Sequence, residues 1–175
     1  MHMVIRALVY AKTKEEALVN AKEVFDRLTE NQHPFDYYVT FDQNGLGSAG
    51  KDRWGKKPVA VKVNSKEGKK LLEEGLEFTK KEFMDNLKNV RAALIFKEGE
   101  AEVDDETLFN ERHQFPGLRY PCYCIGQYRG SSVWLYDNDG EGIRDPGHLK
   151  DVLNKWDCEE YKDMDVWIVP ADVHY

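Results

Sequence analysis

Val4 to Ala11 is a mostly apolar run, β-branched at Val4, Ile5 and Val9, that ends just before a helix-start signal. That junction constrains the fold more than any other stretch. Such a run forms a buried strand. Thr13 with Glu16 three residues later forms a capping box, which starts a helix. Ala17, Leu18, Ala21, Val24, Phe25 and Leu28 then recur at helical spacing, so 14–30 is an amphipathic helix with one apolar face. His33-Pro34 ends it, and Tyr37 to Phe41 reads as a second strand. Met1-His2 ahead of Met3 reads as an expression scar and takes no part in the expected fold.

Residues 42–57 carry Gly, Lys and Asp without periodicity and read as a long exposed loop. Val59, Val61 and Val63 alternate with Ala60 and Lys62, which predicts a strand over 58–63. Ser65 caps a second helix, 66–88, with Leu72, Leu76, Thr79, Phe83 and Leu87 on its inner stripe. Val90 to Phe96 predicts a fourth strand, 90–97. The order β-α-β-β-α-β is the split pattern of ferredoxin-like folds, with both helices on one face of a mainly antiparallel sheet.

The rest of the chain extends that core. Tyr120 to Gln127 and Val133 to Tyr136 predict a hairpin around Arg129-Gly130, dense in aromatic residues. Asp145-Pro146 starts a helix, with Asp as cap and Pro at the first helical position. Its buried face is Leu149, Val152, Leu153 and Trp156. Val166 to Val173 is a final strand, and Pro170 assigns it to an edge or a bulge. The expected class is therefore α+β, a single domain over 1–175. The acidic stretch 97–119 is the candidate internal boundary.

Composition narrows the function classes. The net charge of −7 disfavours non-specific binding to nucleic acid or to an anionic membrane. No apolar run approaches the roughly 20 residues that cross a bilayer, and no signal-peptide pattern opens the chain. Cys122, Cys124 and Cys158 are few and odd in number, which points to a reducing, cytoplasmic setting.

Four constellations could carry chemistry. Gly45-Leu46-Gly47-Ser48-Ala49-Gly50-Lys51 matches a phosphate-loop spacing. Asp52 stands where Mg²⁺ needs a hydroxyl, however, and no helix is expected after it. Lys51, Arg53, Lys56 and Lys57 around Trp54, with His113, remain as candidate groups for an anionic ligand. The competing reading is a solvated loop with Trp54 folded back on the core. The second is Asp137, Asp139, Glu141, Gly142, Ile143 and Asp145, which stand in register with a calcium loop. This segment resembles the first nine positions of an EF-hand-type loop, and the resemblance implies Ca²⁺ on Asp137, Asp139, Glu141 and Asp145. His148 replaces the closing Glu, so any site is weak, no tighter than about 10⁻⁴ M. An acidic turn with Asp145 spent on capping explains the same residues.

Cys122 and Cys124 with Cys158 and His148 or His174 are the third set, and buried unreactive thiols are their simpler explanation. The fourth is Glu111-Arg112-His113, together with Asp172 and His174 on one strand face. No complete catalytic motif emerges. The expectation is a non-enzymatic binding or interaction protein with no resident cofactor. One alternative is an enzyme or sensor for an anionic small molecule or nucleotide, acting through loop 45–57. Another is an acidic protein that binds a basic partner or mimics nucleic acid, through the run at 98–106.

Overall fold

A computed structural model describes residues 1–44, 47–94, 116–155 and 161–175. The chain gathers into two compact units, one of residues 1–80 with 128–175, the other of residues 81–127.

The first unit is built on a five-stranded sheet. Its strands are β1 (His2–Ala11), β2 (Tyr37–Thr40), β3 (Val61–Lys62), β4 (Leu135–Tyr136) and β5 (Asp165–His174). The order is β2-β5-β1-β4, and β3 also pairs with β5. β1 and β5 run antiparallel along their whole length, from His2 opposite His174 to Ala11 opposite Asp165. β4 lies parallel to β1.

This is a mixed α+β architecture but not the ferredoxin-like order. β1, α1 (Lys14–Thr29) and β2 do form a split unit, with a strand inserted between its parallel members. The inserted strand is the last one of the chain, not 58–63. Of that stretch only Val61 and Lys62 pair, with Ile168 and Trp167 of β5.

The helices also depart from the expected single face. Ile5, Ala7, Val9 and Ala11 of β1 pack with Ala17, Ala21, Val24, Phe25 and Leu28 of α1. Leu8 packs instead with Leu71 of α3 (Lys66–Leu94), with Ile143, and with Leu149 and Val152 of α5 (Pro146–Lys155). Successive strand residues point to opposite faces, so α1 covers one face and the start of α3 with α5 covers the other. β1 signals this itself: an apolar run without polar alternation is a strand buried on both sides.

Pro170 sits in a central strand rather than at an edge. Val166 accepts from Val63 and His174 accepts from Asp36, so the even positions of β5 face β2 and β3. Pro170 therefore faces the gap between Thr40 opposite Ala171 and Val61 opposite Ile168. Its missing N–H costs no ladder bond there.

Arg6 is 2 % exposed on the α3 side. Its guanidinium donates to the Val4 carbonyl at 2.7 Å and to Glu74 at 2.9 Å. Burial pulls its pKa down, and Glu74 opposes that shift.

Two expected strands are helical. α3 runs unbroken through Val90 to Leu94, so the strand expected at 90–97 does not form there, and 95–97 lie outside the described residues. Arg91, Ala92, Ala93 and Leu94 are strong helix formers with no Gly or Pro to stop the helix. In the second unit, α4 (Pro116–Gly126) replaces the first arm of the expected hairpin. A short apolar run there is ambiguous between strand and helix by pattern alone. Phe83, expected in the same core as Phe25, is half-buried in the second unit, whereas Phe25 is fully buried in the first. Among the described residues no helix is long and apolar enough to cross a membrane.

Candidate functional site

The loop between β2 and β3 holds its glycines by using carboxylates. Gly47 donates its N–H to Asp52 at 2.9 Å. Gly50 donates its N–H to Asp172 of β5 at 2.7 Å. Gly50 has φ +59, and a Cβ on it would come within 2.8 Å of Val39 Cγ1, so only glycine seats the loop there. A single helical turn, α2 (Lys51–Trp54), follows and closes where Gly55 donates to the Lys51 carbonyl.

These bonds count against a phosphate loop. A phosphate cradle needs free backbone N–H groups aimed at the ligand. Here two of them already hold carboxylate oxygens, and one of those carboxylates is Asp52, inside the motif itself. The cations are disposed differently. Arg53 and Lys56 are exposed, Lys51 and Lys57 half-buried. Trp54 is 38 % exposed and not folded into the core. The Arg53 guanidinium lies 5.8 Å from the centre of the Trp54 ring, a cation–π contact.

Asp172 joins this loop to the end of the sheet. Its side chain is fully buried, and the oxygen not bound to Gly50 lies 3.1 Å from His2 Nδ1. His174, directly opposite His2, pairs instead with Asp36, Nδ1 to Oδ2 at 2.7 Å. The expected Asp172–His174 pair is thus replaced by two crossed pairs, because each carboxylate meets the imidazole across the sheet rather than along its own strand. A carboxylate only accepts, so each imidazole carries a proton on Nδ1 and presents Nε2. Tyr37 stacks on His174 with centroids 5.2 Å apart and planes 5° apart, and is itself 41 % exposed. Its hydroxyl lies 3.5 Å from His2 Nε2, and the Met1 amino group lies 3.3 Å from His174 Nε2.

The acidic loop after β4 spends its carboxylates internally. Asp137 Oδ1 accepts from the N–H groups of Asp139 at 2.9 Å and Glu141 at 2.8 Å. Glu141 pairs with Arg129. Asp145 caps α5 by accepting from Gly147 at 2.8 Å and His148 at 3.0 Å. The bond from His148 leads the causes that hold the Asp145 carboxyl below its ordinary range, with Gly147 adding to it. Gly142 packs where a Cβ would run into the Tyr128 carbonyl. Among the described residues no group of three or more His, Cys, Asp or Glu side chains is placed to hold a metal ion.

A family model described as "Domain of unknown function (DUF7995)" matches residues 1–175. The chain belongs to that family. No curated protein and no solved structure matches it.

The remaining candidates of this DUF7995 chain lie apart. Cys122 is exposed and Cys124 buried on α4, so the two thiols do not share a face as they would on a strand. Cys158, His113 with its neighbours Glu111 and Arg112, and the acidic run 98–106 lie outside the described residues, as do Gly45 and Leu46. Sequence reasoning found Asp172 and His174, wrongly set His2 aside with Met1 as a scar, and missed Asp36 and Tyr37; His2 in fact opens β1 opposite His174. Their only local signal is polarity at strand ends; β1–β5 pairing brings His2 to the site and β2–β5 pairing brings Asp36 and Tyr37.

Proposed function

We propose that this DUF7995 chain is a binding or interaction protein without covalent chemistry of its own. It takes an anionic ligand or partner surface on loop 51–57. The observation that carries this reading is the division of labour in the loop. Gly47 and Gly50 are anchored by Asp52 and Asp172, while Arg53, Trp54 and Lys56 are exposed. With the Gly47 and Gly50 amides occupied, the loop offers side-chain charge and an indole face rather than a glycine-built backbone cradle. Such contacts are salt-sensitive, since exposed charges are screened over about 8 Å at physiological ionic strength. The net charge of −7 limits the partner to a small anion or a local anionic patch rather than a long polyanion.

The test is a titration with ATP and with tripolyphosphate, followed by tryptophan fluorescence. Weak, salt-dependent binding is expected, tighter for ATP because a base can stack on Trp54. Arg53→Ala and Lys56→Ala should each weaken it, and Trp54→Phe should remove most of the signal. No response at millimolar ligand, or no effect of these substitutions, refutes the reading. Tight nucleotide binding abolished by Lys51→Ala would restore the phosphate-cradle reading instead.

A second reading, an enzyme or sensor for a small anion, is supported by the sheet end. Both imidazoles are held at Nδ1 by carboxylates, an arrangement suited to proton transfer through Nε2. Turnover of bis(p-nitrophenyl) phosphate that disappears in His174→Ala would favour it over binding alone.

A further inference from the structure

At the other end of β5 from His174, the first unit carries a hollow of 530 Å³. Its floor is Val63, Leu72, Leu153, Met164 and Val166, all only half-buried. A volume of this size falls in the range of small-molecule sites, about 300–1,000 Å³, which combine an apolar lining with a few polar groups. Among the described lining residues the charges do not balance. Asp165 is neutralised by Lys62, with Nζ and Oδ2 2.6 Å apart. Lys69, exposed on the rim, enters no ion pair among the described residues. Asn64 adds a neutral amide on the same rim.

Lys69 is held in place by local structure. The Ser65 hydroxyl accepts from the Gly68 N–H at 3.0 Å, and the Ser65 carbonyl accepts from the Lys69 N–H at 3.0 Å. Lys69 therefore sits in the first turn of α3, where the helix dipole also favours negative charge. Among the described residues, an apolar lining with a cation that enters no ion pair suits a ligand with an apolar body and an anionic head.

We propose that this hollow binds an amphipathic organic anion, an acyl or aryl chain ending in a carboxylate or sulfonate. The apolar body lies on Leu72, Leu153 and Val166, and the anionic head meets Lys69. This site is independent of loop 51–57 and takes a different class of ligand.

The probe is 1-anilinonaphthalene-8-sulfonate, titrated into the full chain and followed by its fluorescence, with dodecanoate as competitor. Saturable one-to-one binding, displaced by dodecanoate but not by dodecyltrimethylammonium, is expected. Lys69→Glu should weaken it by about tenfold. Lys70→Glu, on an exposed neighbour that does not line the hollow, should leave it unchanged. Circular dichroism melts establish that both variants fold, so that dye uptake by a loosened chain is recognised. Non-saturable binding, equal weakening by the two substitutions, or equal displacement by the cationic amphiphile overturns the proposal. So does sedimentation showing a dimer whose formation competes with the dye, because the hollow would then be a contact between copies.

Discussion

Loops 47–57 and 137–145 are built from the same materials, glycine and carboxylate, and both match a ligand-binding spacing. They differ in which groups remain available. In 137–145, Asp137 closes its own turn, Glu141 pairs with Arg129, and Asp145 caps α5, so three of the four carboxylates have a protein partner. In 47–57, the glycine amides are filled, and what remains exposed is Arg53, Trp54 and Lys56. A motif of residue types therefore says less about binding than the hydrogen-bond accounting does. A carboxylate that satisfies a backbone N–H lends its charge to the fold, and only groups left over can recognise something else.

The largest test of this contrast is Asp172→Ala. It leaves the Gly50 amide and His2 without their shared partner in a buried site, and should cost about 3 kcal/mol in urea unfolding. Asp52→Ala, which frees one exposed amide, should cost under about 0.5 kcal/mol. A loss below about 1 kcal/mol for Asp172→Ala would show that the loop is not anchored from β5.

Asp137→Ala comes next, at about 2 kcal/mol, because it strips two backbone donors of their acceptor in a site only 8 % exposed. A near-neutral result would mean that the turn holds without this carboxylate.

Asp145→Ala should cost about 1 kcal/mol, the usual value of a helix cap. This contribution carries a pH signature. The folded pKa lies below the ordinary aspartate value, so the stabilisation is complete above about pH 4 and is lost as pH falls through the folded value. The difference between wild type and variant should therefore shrink in acid. A gap that widens in acid would contradict the capping role.

The smallest effect is that of calcium. With three carboxylates engaged elsewhere, millimolar Ca²⁺ should leave the thermal midpoint of the wild type and of Asp139→Ala alike. A rise in the wild type that is lost in Asp139→Ala would revive the calcium loop and overturn the contrast between the two loops.

Several local features are legible in the residues alone. The helix start forms where its spacing predicts, and the return bond of the capping box shifts by one residue: Glu16 donates its N–H to the Thr13 hydroxyl at 3.2 Å, while its carboxylate accepts from the N–H of Lys12, not Thr13, at 2.8 Å. Asp145 caps α5 with Pro146 at its first position. Both signals span only a few residues, and the chemistry that makes them is complete within that span. Half of the sheet-end site is legible in the same sense, since Asp172 and His174 share a strand. The other half is not, because His2 lies 170 positions from the Asp172 it contacts.

The sequence by itself determined where α1 and α5 start, where β1 ends and that β1 is buried, because caps and apolar runs act through neighbours along the chain. Only the tertiary structure decided that β5 lies between β1 and β2, that α1 and the start of α3 cover opposite faces, and that Asp172 reaches Gly50. Those outcomes depend on which strand edges meet. Many pairings of the same strands bury similar apolar area, and the choice among them is made by contacts between residues far apart in the chain.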